Sequence, residues 1–265
     1  MGNAVNEILN HNRLAWNFES DGGDSPWCVP VDSATIAAAK QGQWDIFLTP
    51  LKAVPKNWFG DIAGKRMLCL AAGGGQQVPV LAAAGATVTS FDLSPSQLAK
   101  DGAVAAREGL DIRLEEGDMA DLSRFDDQSF DIVVHPVSNV FAPDINIVWR
   151  ECSRILVDDG RLLSGFMNPD FFLFDHDAIE DGGVLEVRYE LPFTPTSLPP
   201  RLYDRRIDRR EAFEHSHSLG DQIGGQIAAG FTIHGFFEDR WNDAATPLNR
   251  YMPTTFATYA RRNER

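Results

Sequence analysis

RMLCLAAGGGQQVPVLAAAGATVTSFDLS, residues 66–94, decides the architecture. RMLCLAA (66–72) is an apolar run of strand length that stops on three glycines. QVPVLAAAG (77–85) follows as a helix, with Pro79 in its first turn, where a missing N–H costs little. ATVTSFDL (86–93) is a second strand. Strand, glycine loop, helix and strand in this order form a right-handed crossover that leaves two parallel strands.

The same rhythm continues outward. In SPSQLAKDGAVAARE (94–108), Ser94 is an N-cap, Pro95 takes the first helical position and Gln97 completes a capping box. DIRLEEGD (111–118) and FDIVVHPV (130–137) read as further strands. DINIVWRECSRIL (144–156) reads as an amphipathic helix, then come an Asp159-Gly160 turn and a fifth strand, RLLSGFM (161–167). The expected fold is α/β, a Rossmann-like, mostly parallel sheet with helices on both faces.

Four segments are expected. Residues 1–60 form a helical N-terminal cap with helices at about 3–17 and 32–44, ending in the turn-rich TPLKAVPKNWFG. Residues 61–168 are the α/β core. Residues 169–215 are an irregular substrate-side insertion around one strand, GVLEVRYEL (183–191). Residues 216–265 complete the sheet with a helix, GDQIGGQIAAG, and two strands, FTIHGFFED and TTFATYARR, which lack an intervening helix and so pair antiparallel at an edge.

Composition limits the partners. The chain has 265 residues and a net charge of −14, with 43% hydrophobic residues, enough for a sizeable core. That charge disfavours a nucleic-acid partner, whose binding needs clustered Lys and Arg. Cys28, Cys69 and Cys152 lie far apart, which is neither a disulfide framework nor a zinc site. MGNAVNEILN lacks a secretion signal, Asn6 spoils a myristoylation motif at Gly2, and no window approaches a bilayer-spanning run of about 20 apolar residues. A cytoplasmic protein with no membrane partner is expected, its oligomeric state open.

The chemistry gathers at the strand ends. Glycines 73–75 let backbone approach a ligand closely. Asp92 lies 19 residues beyond Gly73, at the end of the next strand, where a carboxylate accepts both hydroxyls of a ribose and repels a 2′-phosphate. Asp118 and Met119, after the third strand, suit an adenine amine and ring face. Val78 occupies the position where a dinucleotide fingerprint needs Gly or Ala, and the loop has no basic group for a triphosphate. The ligand expected is a nucleoside without a phosphate chain.

LCLAAGGGQQ, SFDLS, EGDMADL, FDIVVHPVSN and ECSRILVDDGRLLSGF, in that order, resemble the motifs of class I S-adenosylmethionine-dependent methyltransferases. The resemblance covers about 65–168 strongly and 219–262 more weakly. It implies S-adenosylmethionine as cofactor, with Ala71, Gly73 and Gly75 at its methionine part. It implies Asp92 at the ribose, Leu93 beside the adenine, Asp118 and Met119 at the adenine, and His135 near the transferable methyl. The chain departs from the family at Cys69, where an acid is usual, and at Ala71, the first loop-glycine position. Gln76 or Gln77 is the expected substitute for that acid in organising the loop.

Methyl transfer from a sulfonium is an in-line displacement, driven largely by alignment and water exclusion. A base is needed only where the acceptor must lose a proton, so no catalytic residue is assigned. Metal binding is not expected, because His215 and His217 alternate and Asp175-His176-Asp177 reads as an exposed turn. Trp16, Trp27, Trp44 and Trp58 either face a cationic ligand or glue the cap to the sheet. RLYDRRIDRR (201–210) is a solvated or contact face, or else steers an anionic acceptor. The expected function is methyl transfer to a small molecule. A non-catalytic S-adenosylmethionine sensor and an NAD-dependent dehydrogenase are the alternatives.

Overall fold

A computed structural model describes residues 2–22, 25–180 and 182–264. Its strands are β1 (Arg66–Leu70), β2 (Thr87–Asp92), β3 (Ile112–Glu116), β4 (Phe130–His135), β5 (Leu156–Met167), β6 (Phe231–Asp239) and β7 (Thr255–Arg262). They form one sheet in the order β3-β2-β1-β4-β5-β7-β6. β7 runs antiparallel to both β5 and β6, and the pairings from β3 through β5 are parallel. The fold is thus the Rossmann-like, mostly parallel sheet expected, with the antiparallel pairing at its β6 end.

Burial explains the strands. Met67 to Leu70 of β1 are covered on both faces, as a central parallel strand requires. β3 is the outer strand, and its IRLEE sequence places Arg113 and Glu115 at the rim, where charge blunts an open edge.

The helices are α1 (Gly2–Gly22), α2 (Ser33–Lys40), α3 (Lys56–Phe59), α4 (Gln77–Ala83), α5 (Pro95–Glu108), α6 (Ile145–Ile155), α7 (His176–Glu180), α8 (Pro200–Arg209) and α9 (Gly225–Ala228). Two apolar layers flank the sheet. One joins Ile36, Val78, Leu81, Val104 and Val134, and the other Leu68, Phe91, Val148, Trp149 and Leu162. α2 is shorter than expected. Asp32 caps it through Thr35 N at 2.8 Å, and it gives out before Gly42, whose φ of +80° favours glycine.

Four other expectations are corrected. The Asp159-Gly160 turn lies inside β5, because pairing with β4 resumes at Arg161 after an irregularity. The helix at 220–230 starts as a π-helical turn, Gly220–Gly224, before α9. Gln97 supplies only its backbone N–H to the Ser94 cap, since its side chain turns to Cys28. The strand at 183–191 does not form and is represented by one antiparallel bridge, Phe174 to Val187. Val184 and Val187 are exposed, and the segment, despite its strand propensity, pairs with no strand of the sheet. Around it, α7, α8 and short 3₁₀ turns enclose a small core of Val140, Phe172, Phe193, Leu198 and Phe213.

Candidate functional site

The order β3-β2-β1-β4-β5 reverses direction between β1 and β4, and an open α/β sheet has its crevice at such a switch point. A cavity of about 620 Å³ lies there. Its floor comes from the loops after β1, β2, β3 and β4.

The glycine loop is built for close backbone approach. Ala71 sits at φ +49°, Gly74 at +119° and Gly75 at +80°. A side chain at Gly73 would lie 2.8 Å from Gln97 Cβ and 3.1 Å from Asp92 Oδ2; at Gly74 it would meet the Trp27 carbonyl at 2.6 Å. Gly73 N donates to Asp92 Oδ2 at 3.0 Å and Ser94 N to Oδ1 at 2.9 Å. Burial nevertheless dominates, and the Asp92 pKa is pushed up to about 6.

Asp101 was not foreseen from the sequence. From α5 its carboxylate accepts from Gly75 N and from Ser90 Oγ, both at 2.7 Å, while the residue itself is fully buried. Burial raises its pKa to about 7. It acts on Cys69 electrostatically, and burial first, then Asp101, pushes that thiol up. The signal was an Asp on the buried stripe of a helix, where a carboxylate is rare unless it has partners.

Gln76 and Gln77 bind the cap. Gln76 Nε2 donates to the carbonyls of Pro26 (2.7 Å) and Val29 (3.0 Å), and Gln77 Oε1 accepts from Phe47 N (3.0 Å). Lys100 reaches the Cys28 carbonyl at 2.7 Å. Gln97 Oε1 stays buried with no partner beside the glycine loop.

Six of the eight residues named from the sequence line the cavity together: Ala71, Gly73, Asp92, Leu93, Asp118 and Met119. Asp118 accepts from Ala120 N at 2.9 Å, and burial raises its pKa. The other two lie behind the wall. Gly75 faces Pro30 and Asp101. His135 is fully buried, its Nδ1 2.9 Å from the Leu70 carbonyl and its ring edge-on to Trp149. Burial lowers its pKa to about 4. Pro136, Val137 and Ser138 form the wall at that point.

The tryptophans divide. Trp16 and Trp27 line the cavity, with centroids 5.3 Å from Phe141 and 4.9 Å from Trp241, which is also a wall residue. Trp44 packs on Phe59 within the cap, and Trp58 stacks on Phe237 of β6, which holds the cap to the body. Sequence position gave no hint of Trp241, which sits on the loop after β6. α1 is a strut, with Asn17 Oδ1 accepting from Ser94 Oγ and Ser96 N, and Asn12 bonding both backbone groups of Phe213.

The remaining candidates lie elsewhere. His215 N donates to the Val140 carbonyl and His217 Nε2 to the Asn139 carbonyl, and no group able to hold a metal occurs among the described residues. Asp175 caps Ala178 N, His176 stacks on Phe171 at 3.8 Å, and Asp177 meets Arg206 at 3.4 Å. No arginine of 201–210 lines the cavity. Among the described residues, no helix is long and apolar enough to cross a membrane.

A crevice at the switch point, a glycine loop held by the acid of β2 and a second acid after β3 define an open α/β protein with its ligand crevice at the strand ends. Comparison with known proteins makes that class specific. Residues 68–164 match the family model described as "Methyltransferase domain". The protein called "Uncharacterized methyltransferase YbaJ", from Bacillus subtilis, is 48% identical over 255 residues, covering 96% of this chain and 98% of that protein. An S-adenosylmethionine-dependent methyltransferase from Mesorhizobium loti superposes with TM-score 0.59 at 20% identity, covering 78% of this chain and 95% of that one. A geranyl diphosphate methyltransferase in complex with S-adenosylmethionine gives 0.54 at 15%, covering 78% and 82%. The last two share the fold. The chain belongs to the class I S-adenosylmethionine-dependent methyltransferases, with S-adenosylmethionine as its cofactor.

Proposed function

We propose that this methyltransferase acts on a small molecule bound in the outer half of the cavity. The observation that carries this reading is the division of the cavity's wall. Strand-end loops of the core form one side. Trp16 and Trp27 from the cap, Phe171 and Glu214 from the insertion and Trp241 from the loop after β6 form the other. A volume of about 620 Å³ is in the range of small-molecule sites, roughly 300–1,000 Å³. In this reading residues 61–168 hold the cofactor, 1–60 and 169–215 choose the acceptor, and 216–265 complete the sheet. Three buried unpaired cysteines fit a reducing cytoplasm.

The cavity suits the cofactor on three counts. The glycine positions would be filled by a Cβ, Asp92 and Asp118 keep acceptor lone pairs, and Gln97 Oε1 is an orphaned acceptor beside the loop. Asp92 would hold the ribose hydroxyls with Leu93 against the adenine. Asp118 would take the adenine amine, Met119 its ring face, and Ala71, Gly73 and Gln97 the methionine part. Gly75 and His135 would contribute from behind, Gly75 by shaping the loop and His135 by fixing the end of β4 through Leu70. S-adenosylmethionine supplies an electrophilic methyl group on a sulfonium. The chain's part is to align the acceptor with it and exclude water, with cap and insertion closing over the strand ends.

The test is titration calorimetry with S-adenosylhomocysteine on wild type and Asp92→Asn. Losing bonds to a charged acceptor costs about 1.5–3 kcal/mol, so affinity should fall at least tenfold. Equal affinity would remove Asp92 from the site.

A further inference from the structure

Among the described residues, Glu214 is the one carboxylate of the cavity wall that comes from outside the core. Its neighbours in the chain are held on both sides. Phe213 N donates to Asn12 Oδ1 at 2.7 Å while Asn12 Nδ2 donates to the Phe213 carbonyl at 2.9 Å, and His215 N donates to the Val140 carbonyl at 2.7 Å. Phe213 and His215 are buried and are not among the residues that line the cavity, whereas Glu214 between them is. Glu214 is therefore presented by a fixed backbone.

The elements that clamp it also bring aromatic faces. Trp16 stands one turn beyond Asn12 on α1, and Phe141 follows Val140; the two rings meet edge-to-face at 5.3 Å. Phe171 and Met167 close the same half of the wall. No Lys, Arg or His is among the described residues that line the cavity. Its ionisable groups are Asp92, Asp118 and Glu214, and the first two already have partners in the core. Arg206 and Glu211 are the charged groups that act on Glu214 from α8 and the residues after it. The Arg206 guanidinium is shared with Asp177 at 3.4 Å and Glu211 at 3.9 Å.

We propose that Glu214 selects an amine as the methyl acceptor: the substrate enters as an ammonium, pairs with this carboxylate between the aromatic faces, and hands it one proton before attack. This rests on the reading of the cavity as the cofactor and acceptor site. The nitrogen lone pair forms the new N–CH₃ bond as the methyl–sulfur bond breaks. The electrons of that bond stay on sulfur, which becomes a neutral thioether. The proton rests on Glu214 and passes to solvent when product leaves. Aromatic walls favour an ammonium through their ring quadrupoles, and an anionic acceptor would meet only like charge. Burial raises the Glu214 pKa, opposed by Arg206 and reinforced by Glu211, which makes its ionised form a better proton acceptor. The arginines of 201–210 thus have no anion to steer in the cavity.

The test uses non-reactive analogues of the cofactor in which nitrogen replaces sulfur and carries an arm of two to six methylene groups. The arm ends in ammonium, hydroxyl or carboxylate. Their dissociation constants are measured by calorimetry on wild type and on Glu214→Gln, with S-adenosylhomocysteine as reference. At the arm length that reaches the carboxylate, ammonium should bind at least tenfold more tightly than hydroxyl, and carboxylate weakest. In Glu214→Gln the ammonium advantage should vanish while S-adenosylhomocysteine affinity stays within twofold, which also shows that the variant is folded. A carboxylate arm that binds as well as ammonium at every length, or an ammonium advantage that survives in the variant, overturns the proposal. Failure of wild type to bind S-adenosylhomocysteine at all would instead remove the cofactor reading beneath it.

Discussion

Asp101 and Cys69 exchange the duties that the family's motif leads one to expect. Cys69 is sealed inside β1 with its thiol held protonated, whereas Asp101 reaches the glycine loop from α5 and ties Gly75 N to Ser90. The carboxylate that organises the loop is still present but stands on a different element. Asp101→Ala should weaken S-adenosylhomocysteine binding roughly tenfold or more, by releasing charge-assisted bonds worth about 1.5–3 kcal/mol. Cys69→Ala should leave that affinity within about twofold, since it removes packing beneath the loop and no bond to it. Calorimetry on the two variants checks the contrast. Asp92 and Asp101 also set a pH dependence. Both have native pKa values, about 6 and about 7, above their ordinary value of 3.8. The native state therefore keeps protons that the unfolded chain has lost, and stability falls as pH rises from about 4 through 7. Thermal midpoints of wild type and Asp101→Asn, measured from pH 5 to 8, should shift in favour of the variant as pH rises. A constant gap would contradict the raised pKa of Asp101.

At the scale of the element, the strands and α5 were legible because continuous apolar runs and capping residues act locally. What escaped depended on distant partners. The strand expected at 183–191 had the residues for a ladder, yet the sheet ends elsewhere and only the Phe174–Val187 bridge forms. Gln97 fits a capping box, yet its amide is claimed by Cys28 across the cap. The glycine loop was legible as a site, but its attachment to the cap through Gln76 and Gln77 was not, because two carbonyls at Pro26 and Val29 carry no sequence signature. Gln76→Ala should free the cap locally. Hydrogen exchange of residues 26–31 should rise severalfold in the variant, and S-adenosylhomocysteine binding should weaken a few-fold. Unchanged exchange there would mean that the segment is held without Gln76, by contacts such as those of Lys100 and Gln97 with Cys28 and of Arg107 with Val31. Gly73→Ala should be harsher, because its methyl would press on Gln97 Cβ and Asp92 Oδ2 at once. Binding should be lost while the fold survives, which calorimetry and circular dichroism together distinguish.

Across the whole molecule, the acidic balance has a local meaning. Two acids from the core and Glu214 from outside it face one cavity that no described basic side chain lines, while the arginine-rich α8 spends charge on Asp177 and Glu211. The core motifs were readable in order along the chain. The acceptor half was not, since Trp16, Phe141, Phe171, Glu214 and Trp241 are far apart in sequence and meet only once α1 bridges Ser94 and Phe213. The central claim is that the switch-point cavity takes the adenosyl cofactor through the β1–β3 loops. The most direct measurement is thermal unfolding with S-adenosylhomocysteine or NAD. At a ligand concentration about 100 times its dissociation constant, binding stabilises by about 2.7 kcal/mol, roughly 5–10 °C for a chain of this size. S-adenosylhomocysteine should produce that rise in wild type and NAD none; a rise with NAD and none with S-adenosylhomocysteine would contradict the account.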